Sequence, residues 1–277
     1  MTETGALPAV EPTLYLERPG GRIAYEVTGS GPLVVGVPGM GDLRSVYRFL
    51  VPALTDAGFR VATMDLRGHG DSDATFDAYD DVAAGTDLIA LAEHLGGPAV
   101  LVGNSMGAGA AAWAAAEAPD LVAALVLVGP FVRNAPVGFV AGVAFRLALL
   151  WPWGSAAWNM YYAKLYPGRP PADLAEHRTR IRESLRRSGH WRAFARTTHT
   201  SHDPVEARLG QVRAPTLVVM GERDPDFPDP GAEARFIAER LDAEVFVVPD
   251  AGHYPQAEYP ELVNPVVVRF ARRVFTG

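Results

Sequence analysis

The chain predicts an α/β fold built on a mostly parallel, eight-stranded sheet flanked by helices, and three observations carry that expectation. Short, wholly apolar runs such as residues 32–37 and 99–102 recur along it, as strands covered on both faces must read. Stretches of helical periodicity alternate with these runs, which implies right-handed crossovers between parallel strands. The segments after several runs are rich in Gly, Asp, Ser and His, the residues that tight turns and polar chemistry use.

Taken in order, residues 14–16 and 22–27 read as two antiparallel strands turned at Pro19-Gly20-Gly21. The run 32–37 is a buried strand and ends in Pro38-Gly39-Met40-Gly41-Asp42, too glycine-rich to be helix. Residues 45–57 have helical spacing through Val46, Phe49, Leu50 and Leu54. The strand 60–64 closes on Asp65-Leu66-Arg67-Gly68-His69-Gly70-Asp71-Ser72, and 79–95 reads as helix. The strand 99–102 is followed by an alanine-rich helix and a strand at 124–128. From Phe131 to about Arg213 no strand pattern occurs, and a connection normally takes ~2–6 residues. The expected division is therefore a loose arm (1–12), a core (13–130 and 214–277) and an inserted helical cap (131–213). Within the insertion, 172–187 is amphipathic through Leu174, Ile181 and Leu185, with arginines on the solvated face. Strands at 216–220 and 244–248 enclose a helix at 231–241, and a last helix covers 261–275.

Composition narrows the function. The 277 residues are 48% apolar, enough for a sizeable core, and the net charge of −7 disfavours nucleic acid and anionic membranes. There is no cysteine, which excludes disulfides, thiolate metal sites and a cysteine nucleophile. The first dozen residues are acidic and lack an apolar stretch, unlike a signal peptide, and the expected setting is cytoplasmic. Residues 137–151 are nearly all apolar and include Gly138-x-x-x-Gly142, yet they fall short of the ~20 residues of a membrane span and contain Arg146. They are expected to form a buried helix.

The most informative stretch is Gly103-Asn104-Ser105-Met106-Gly107, a single G-x-S-x-G between a strand run and a helix run. A turn this tight has no room for side chains on its flanks, hence the glycines. It holds a serine oxygen out at a strand end, above the amides of a helix N-terminus. Gly103-x-x-x-Gly107-x-Gly109 also fits the phosphate turn of short-chain dehydrogenases, but that turn belongs on the first strand of its unit and here three strand runs precede it. Those enzymes use a Tyr-x-x-x-Lys pair as well. The only lysine is Lys164, with Met160 where the tyrosine belongs, so no cofactor is expected.

Together these pieces resemble the α/β-hydrolase family over nearly the whole chain from about residue 13. The resemblance rests on the Ser105 elbow, the Gly39-Met40-Gly41 loop, Asp65-x-Arg67-Gly68-His69-Gly70-x-Ser72, and the pair Gly221-x-x-Asp224 and Gly252-His253. It implies Ser105 as nucleophile, His253 as base and Asp224 as the orienting acid, in the family's chain order. A serine hydroxyl needs a base within hydrogen-bond reach, and a histidine needs a carboxylate on its far nitrogen to set tautomer and orientation. The backbone amides of Met40 and Met106 would hold the oxyanion. Among seven histidines, His253 alone sits in a glycine loop after the last strand, and His69 belongs to a turn that shapes a loop. Asp224 is preferred to Asp226 because it follows its strand through the Gly221 turn while Asp226 lies beyond it, and the alternative acid position holds Gly129-Pro130. Relatives usually carry His-Gly where this chain has Pro38-Gly39, but the donor there is a backbone amide.

The implied activity is acyl transfer from a small apolar carboxylic ester or lactone, with a small molecule as the only partner expected and the oligomeric state left open. Carbon–carbon bond hydrolases of ring-cleavage pathways share the Gly-Asn-Ser-Met-Gly elbow and usually carry a longer glycine run at the oxyanion loop. Cofactor-free haloperoxidase-like perhydrolases use the same three residues, and a slow-turnover ligand receptor could retain them. The insertion is aromatic, and Gly39, Phe139, Phe145, Trp158, Tyr162 and Trp191 are expected to line the substrate pocket.

Overall fold

In the computed structural model, which describes residues 12–134, 147–149 and 153–276, the strands form one eight-stranded sheet. They are β1 (Leu14–Arg18), β2 (Gly21–Gly29), β3 (Leu33–Val37), β4 (Arg60–Met64), β5 (Ala99–Asn104), β6 (Val122–Val128), β7 (Thr216–Gly221) and β8 (Glu244–Val248). Their order across the sheet is β1-β2-β4-β3-β5-β6-β7-β8. Only β2 runs against the others, antiparallel to both of its neighbours, β1 and β4, and every other pair is parallel.

The central strands are buried along their whole length because helices cover both faces. Along β5, Leu101 joins one apolar cluster while Val100 and Val102 join the other, the alternation a two-residue side-chain period imposes. The helices Asp81–His94, Met106–Glu117 and Pro230–Leu241 supply Leu88, Ala111 and Ile237 to the first cluster. The helices Leu50–Asp56 and Pro260–Thr276 supply Leu54, Val263 and Phe270 to the second. That second cluster also contains Trp158, Tyr162, Leu165, Tyr166, Ile181 and Phe194 of the β6–β7 connection.

The expected helix over 45–57 is divided into a short 3-10 turn, Arg44–Tyr47, and the helix Leu50–Asp56. Pro52 is one reason: eight residues into a continuous helix it would lack its hydrogen bond and clash, whereas it fits the first turn of a helix that starts at Leu50. Tyr47 is another, since its hydroxyl donates to the Val37 and Val102 carbonyls at 2.7 and 3.0 Å and pins the turn to the sheet.

Between β6 and β7 the described residues form the helices Gly154–Lys164, Leu174–Arg186, His190–Thr197 and Asp203–Glu206, with no strand among them. Most of the apolar segment 137–151, including Phe139 and Phe145, lies outside the described residues, as does nearly all of the N-terminal arm. No described helix is long and apolar enough to cross a membrane.

The register positions the chemistry. Val37 pairs with Gly103, Asn104 with Val128, Val128 with Val219, and Gly221 with Val248. These carboxyl ends form one edge, so the segments that follow them meet there, where open α/β sheets build their sites.

Candidate active site

Ser105 occupies φ 57°, ψ −124°, between β5 and the helix Met106–Glu117. A non-glycine residue at positive φ costs on the order of 1–3 kcal/mol and persists only where its surroundings enforce it. Here its N–H donates to the Val128 carbonyl at 2.9 Å, and its own carbonyl accepts from Ala108 at 3.0 Å. The flanking glycines are required by contact. A Cβ on Gly103 would sit 2.4 Å from the Gly107 carbonyl oxygen, and one on Gly107 would sit 2.5 Å from the Pro38 oxygen.

The loop after β3 runs directly against the serine: a Cβ on Gly39 would lie 2.7 Å from Ser105 Cβ and 3.3 Å from its Oγ. Met106 opens its helix, so its N–H has no intrahelical acceptor. Among the described residues no backbone carbonyl accepts from the Met40 N–H. His69 shapes this loop, with Nε2 accepting from the Gly41 N–H at 3.0 Å and Nδ1–H donating to the Arg67 carbonyl at 2.9 Å. Burial lowers the His69 pKa to about 4, so it stays neutral and keeps the tautomer the loop needs.

His253 and Asp224 come together from the loops after β8 and β7. Asp224 Oδ2 lies 2.7 Å from His253 Nδ1, and both side chains are buried. Asp226 Oδ2 is 3.7 Å from the same nitrogen, beyond hydrogen-bond range, while its backbone N–H donates to Asp224 Oδ1 at 3.0 Å. The Asp226 carboxylate instead accepts from the Tyr161 hydroxyl, and burial raises its pKa. Burial opposes the charged form of His253, but Asp224 and then Asp226 outweigh it and raise the imidazole to about 9. The histidine is also tied to the elbow and to the β6–β7 connection. Asn104 Nδ2 donates to the His253 carbonyl at 3.3 Å, and the His253 N–H donates to the Leu165 carbonyl at 2.9 Å.

The ligand atoms of Asp224, Asp226 and His253 lie within 4.8 Å of one another, a set that a metal could use. The 2.7 Å separation of His253 from Asp224 argues against it. A tetrahedral ion with ~2.1 Å bonds would hold those two atoms ~3.4 Å apart. The contact has the length of a charge-assisted hydrogen bond.

The aromatic residues of the connection are tied to the loop after β3. Trp158 and Tyr162 are 3% and 0% exposed, and their polar atoms are engaged: Trp158 Nε1 donates to the Gly41 carbonyl and Tyr162 Oη to Asp42. They hold the loop beside Ser105 rather than offering polar atoms to a substrate. Trp191 packs on Phe194, ring centroids 5.1 Å apart, and against Gly154. Asp42, His177 and Asn104 are the residues that spacing did not single out. Asp42 directly follows Gly39-Met40-Gly41, and Asn104 lies inside the elbow, so position alone marked both. His177, on the apolar stripe of an amphipathic helix, carried no signal. The arginines Arg178, Arg180 and Arg187 bond to Asn159, Glu176 and the Gly70 carbonyl, away from His253. A cavity of about 370 Å³ between residues 77–82 and 196–204 is not lined by Ser105, Asp224 or His253.

Comparison with known proteins agrees with this architecture. Residues 34–266 match the model of the alpha/beta hydrolase family. The chain is 30% identical over 260 residues to 2-(acetamidomethylene)succinate hydrolase of Mesorhizobium japonicum, covering 90% of this chain and 92% of that protein. It is also 30% identical to 2-hydroxy-6-oxononadienedioate/2-hydroxy-6-oxononatrienedioate hydrolase of Burkholderia vietnamiensis, with 91% of each chain aligned. Among solved structures, a thermophilic esterase from Thermogutta terrifontis superposes with a TM-score of 0.76 at 27% identity, over 97% of this chain and 100% of that one. With the matched region running from β3 to β8 and including the loops that carry Ser105, Asp224 and His253, this chain belongs to the alpha/beta hydrolase family.

Proposed function

We propose that the chain is a serine hydrolase that cleaves small, uncharged carboxylic esters or lactones through an acyl-enzyme, with the β6–β7 helices as a cap over the site. Ser105 attacks the carbonyl, and His253 Nε2 takes its proton and returns it to the leaving oxygen. Asp224 holds Nδ1 and stabilises the imidazolium. The amides of Met40 and Met106 receive the negative oxygen. Water then attacks the acyl-enzyme with His253 again as base. The observation that carries this reading is the buried 2.7 Å contact between Asp224 and His253 on the sheet edge that holds Ser105 in its strained turn. The names of the relatives support a second reading, water attack on a vinylogous carbon–carbon bond. The short Gly39-Met40-Gly41 loop favours the ester. Labelling of Ser105 by a fluorophosphonate, followed by a panel of esters, lactones, thioesters and vinylogous diketones, tests the first reading against the second. An unlabelled serine overturns the first.

The charge distribution supports a preference for neutral substrates, because the nearest carboxylates surround His253 and the arginines of helix Leu174–Arg186 are bonded elsewhere. A hexanoyl ester is expected to exceed the matching adipoyl half-ester in kcat/KM by at least tenfold. A preference for the carboxylate-bearing ester would reverse the assignment.

The pH dependence follows from His253. A base must be neutral to act, so kcat/KM is expected to rise with pH to a midpoint near 9. Asp226→Asn removes a charge that favours the imidazolium and is expected to move that midpoint down. A profile between pH 6 and 10 that is flat, or unmoved by the substitution, contradicts the arrangement. The same raised pKa contributes folding stability that is complete below ~6.5 and is lost as pH rises through about 9.

A further inference from the structure

We propose that a second buried carboxylate–histidine couple, Asp42–His177, positions the oxyanion loop, so that the inserted helices form half of the oxyanion site's support. This rests on the serine-hydrolase reading above.

Asp42 is fully buried immediately after Gly39-Met40-Gly41. Its Oδ1 accepts from the Leu43 N–H at 2.7 Å and lies 2.7 Å from His177 Nε2, while its Oδ2 accepts from the Tyr162 hydroxyl at 2.8 Å. A carboxylate out of water is tolerated only when such donors surround it, and each charge-assisted bond is stronger than a neutral one. His177 is itself oriented by Ser45, whose Oγ lies 3.3 Å from Nδ1. Tyr162 is oriented by the Tyr166 hydroxyl at 3.1 Å. Tyr162 also stands 5.2 Å, ring to ring, from Tyr254, the residue after His253.

These bonds determine where the loop can be. The Asp42 N–H closes the turn on the Gly39 carbonyl at 3.3 Å. The Gly41 peptide groups are held from both sides, N–H by His69 of the core and C=O by Trp158 Nε1 of the inserted helix at 3.1 Å. Gly41 has φ +71°, and a Cβ there would sit 2.4 Å from the Trp158 ring, so indole and loop are in direct contact. Among the described residues four side chains grip Gly41 and Asp42, and three of them come from the insertion: Trp158, Tyr162 and His177. Gly39 at the other end of the turn touches Ser105. Removing donors from Asp42 leaves a buried charge with too few partners. The carboxylate then moves toward water, and Met40 moves with the turn it belongs to. A displacement of ~1 Å in a group that stabilises the transition state costs about 10²-fold in rate while leaving ground-state binding nearly intact. His177 and Tyr162 are thus positioning residues, acting on the reaction through the loop.

The test compares His177→Ala, His177→Gln and Tyr162→Phe with the parent chain. The glutamine amide can reach Asp42 as Nε2 does, and Tyr162→Phe removes one donor with almost no change in volume, so it remains informative should His177→Ala not fold. Each variant is assayed for thermal melting, for kcat and KM on an ester the parent hydrolyses, for the rate of Ser105 labelling by a fluorophosphonate, and for affinity toward a trifluoromethyl ketone, which forms a tetrahedral adduct on the serine. His177→Ala is expected to lower kcat, labelling rate and ketone affinity together by 10- to 100-fold with KM within about threefold. His177→Gln is expected to recover most of the loss, and Tyr162→Phe to lose about fivefold or more. Variants that melt earlier but keep the parental kcat, labelling rate and ketone affinity overturn the inference alone, as does a rise in KM at constant kcat. A parent chain that the fluorophosphonate does not label overturns the hydrolase reading, and this inference with it.

Discussion

Ser105→Ala is expected to leave a folded protein that has lost ester turnover by a factor on the order of 10⁴–10⁶, the largest effect of any single substitution here. The fold tolerates the change because alanine keeps the β carbon that packs on Gly39 and carries the same backbone strain at φ 57°. The chemistry does not, because the acyl-enzyme has no other oxygen on which to form. What activity remains would come from the Met40 and Met106 amides acting on an attack by water. Steady-state rates with a chromogenic ester, with melting curves to establish folding, decide the matter. Retention of more than roughly a tenth of the parental rate, ~1.4 kcal/mol of barrier, would remove Ser105 from the mechanism.

The second large effect belongs to Asp224→Asn, expected to lower turnover by up to ~10⁴. Asparagine would fit the space but presents an N–H₂ or a weaker acceptor to His253 Nδ1, so the imidazole loses both its tautomer and the charge that stabilises its protonated form. Asp226→Asn is the control, since its carboxylate stands 3.7 Å from the imidazole rather than 2.7 Å. It should change kcat by less than about tenfold and act mainly through the pH midpoint. If the two substitutions exchange these effects, Asp226 is the orienting acid and the hydrogen-bond geometry has been assigned to the wrong carboxylate.

Much of the site could be read before any coordinates because its parts are local. The turn around Ser105 needs small residues at Gly103 and Gly107 whatever surrounds it, and the motif displays them. The identity of the second partner of Gly107, the Pro38 carbonyl, could not be read, since it belongs to the neighbouring strand's loop. Likewise Asp224 and His253 each announce themselves after a strand. Position after the strand favours Asp224 over Asp226, and the distances to His253, 2.7 Å against 3.7 Å, come from how two turns meet in space. The aromatic residues of the insertion illustrate the limit more sharply. Trp158 and Tyr162 are legible as large apolar side chains, and an apolar pocket is what such residues ordinarily line. The bonds that turn them toward Gly41 and Asp42 span 117 and 120 residues.

What the amino-acid order determined by itself was periodicity and local geometry: eight strands with the helices between them, the serine elbow, and the glycine loops that end the strands. Those features depend on side-chain patterning over a few residues and on backbone sterics, both of which are properties of short segments. The tertiary structure alone decided that Asp42 would be buried beneath His177, 135 positions away in the chain. A buried charge has to find its donors wherever the fold brings them, and that condition is satisfied in space, by helices packed across a sheet edge, rather than along the sequence.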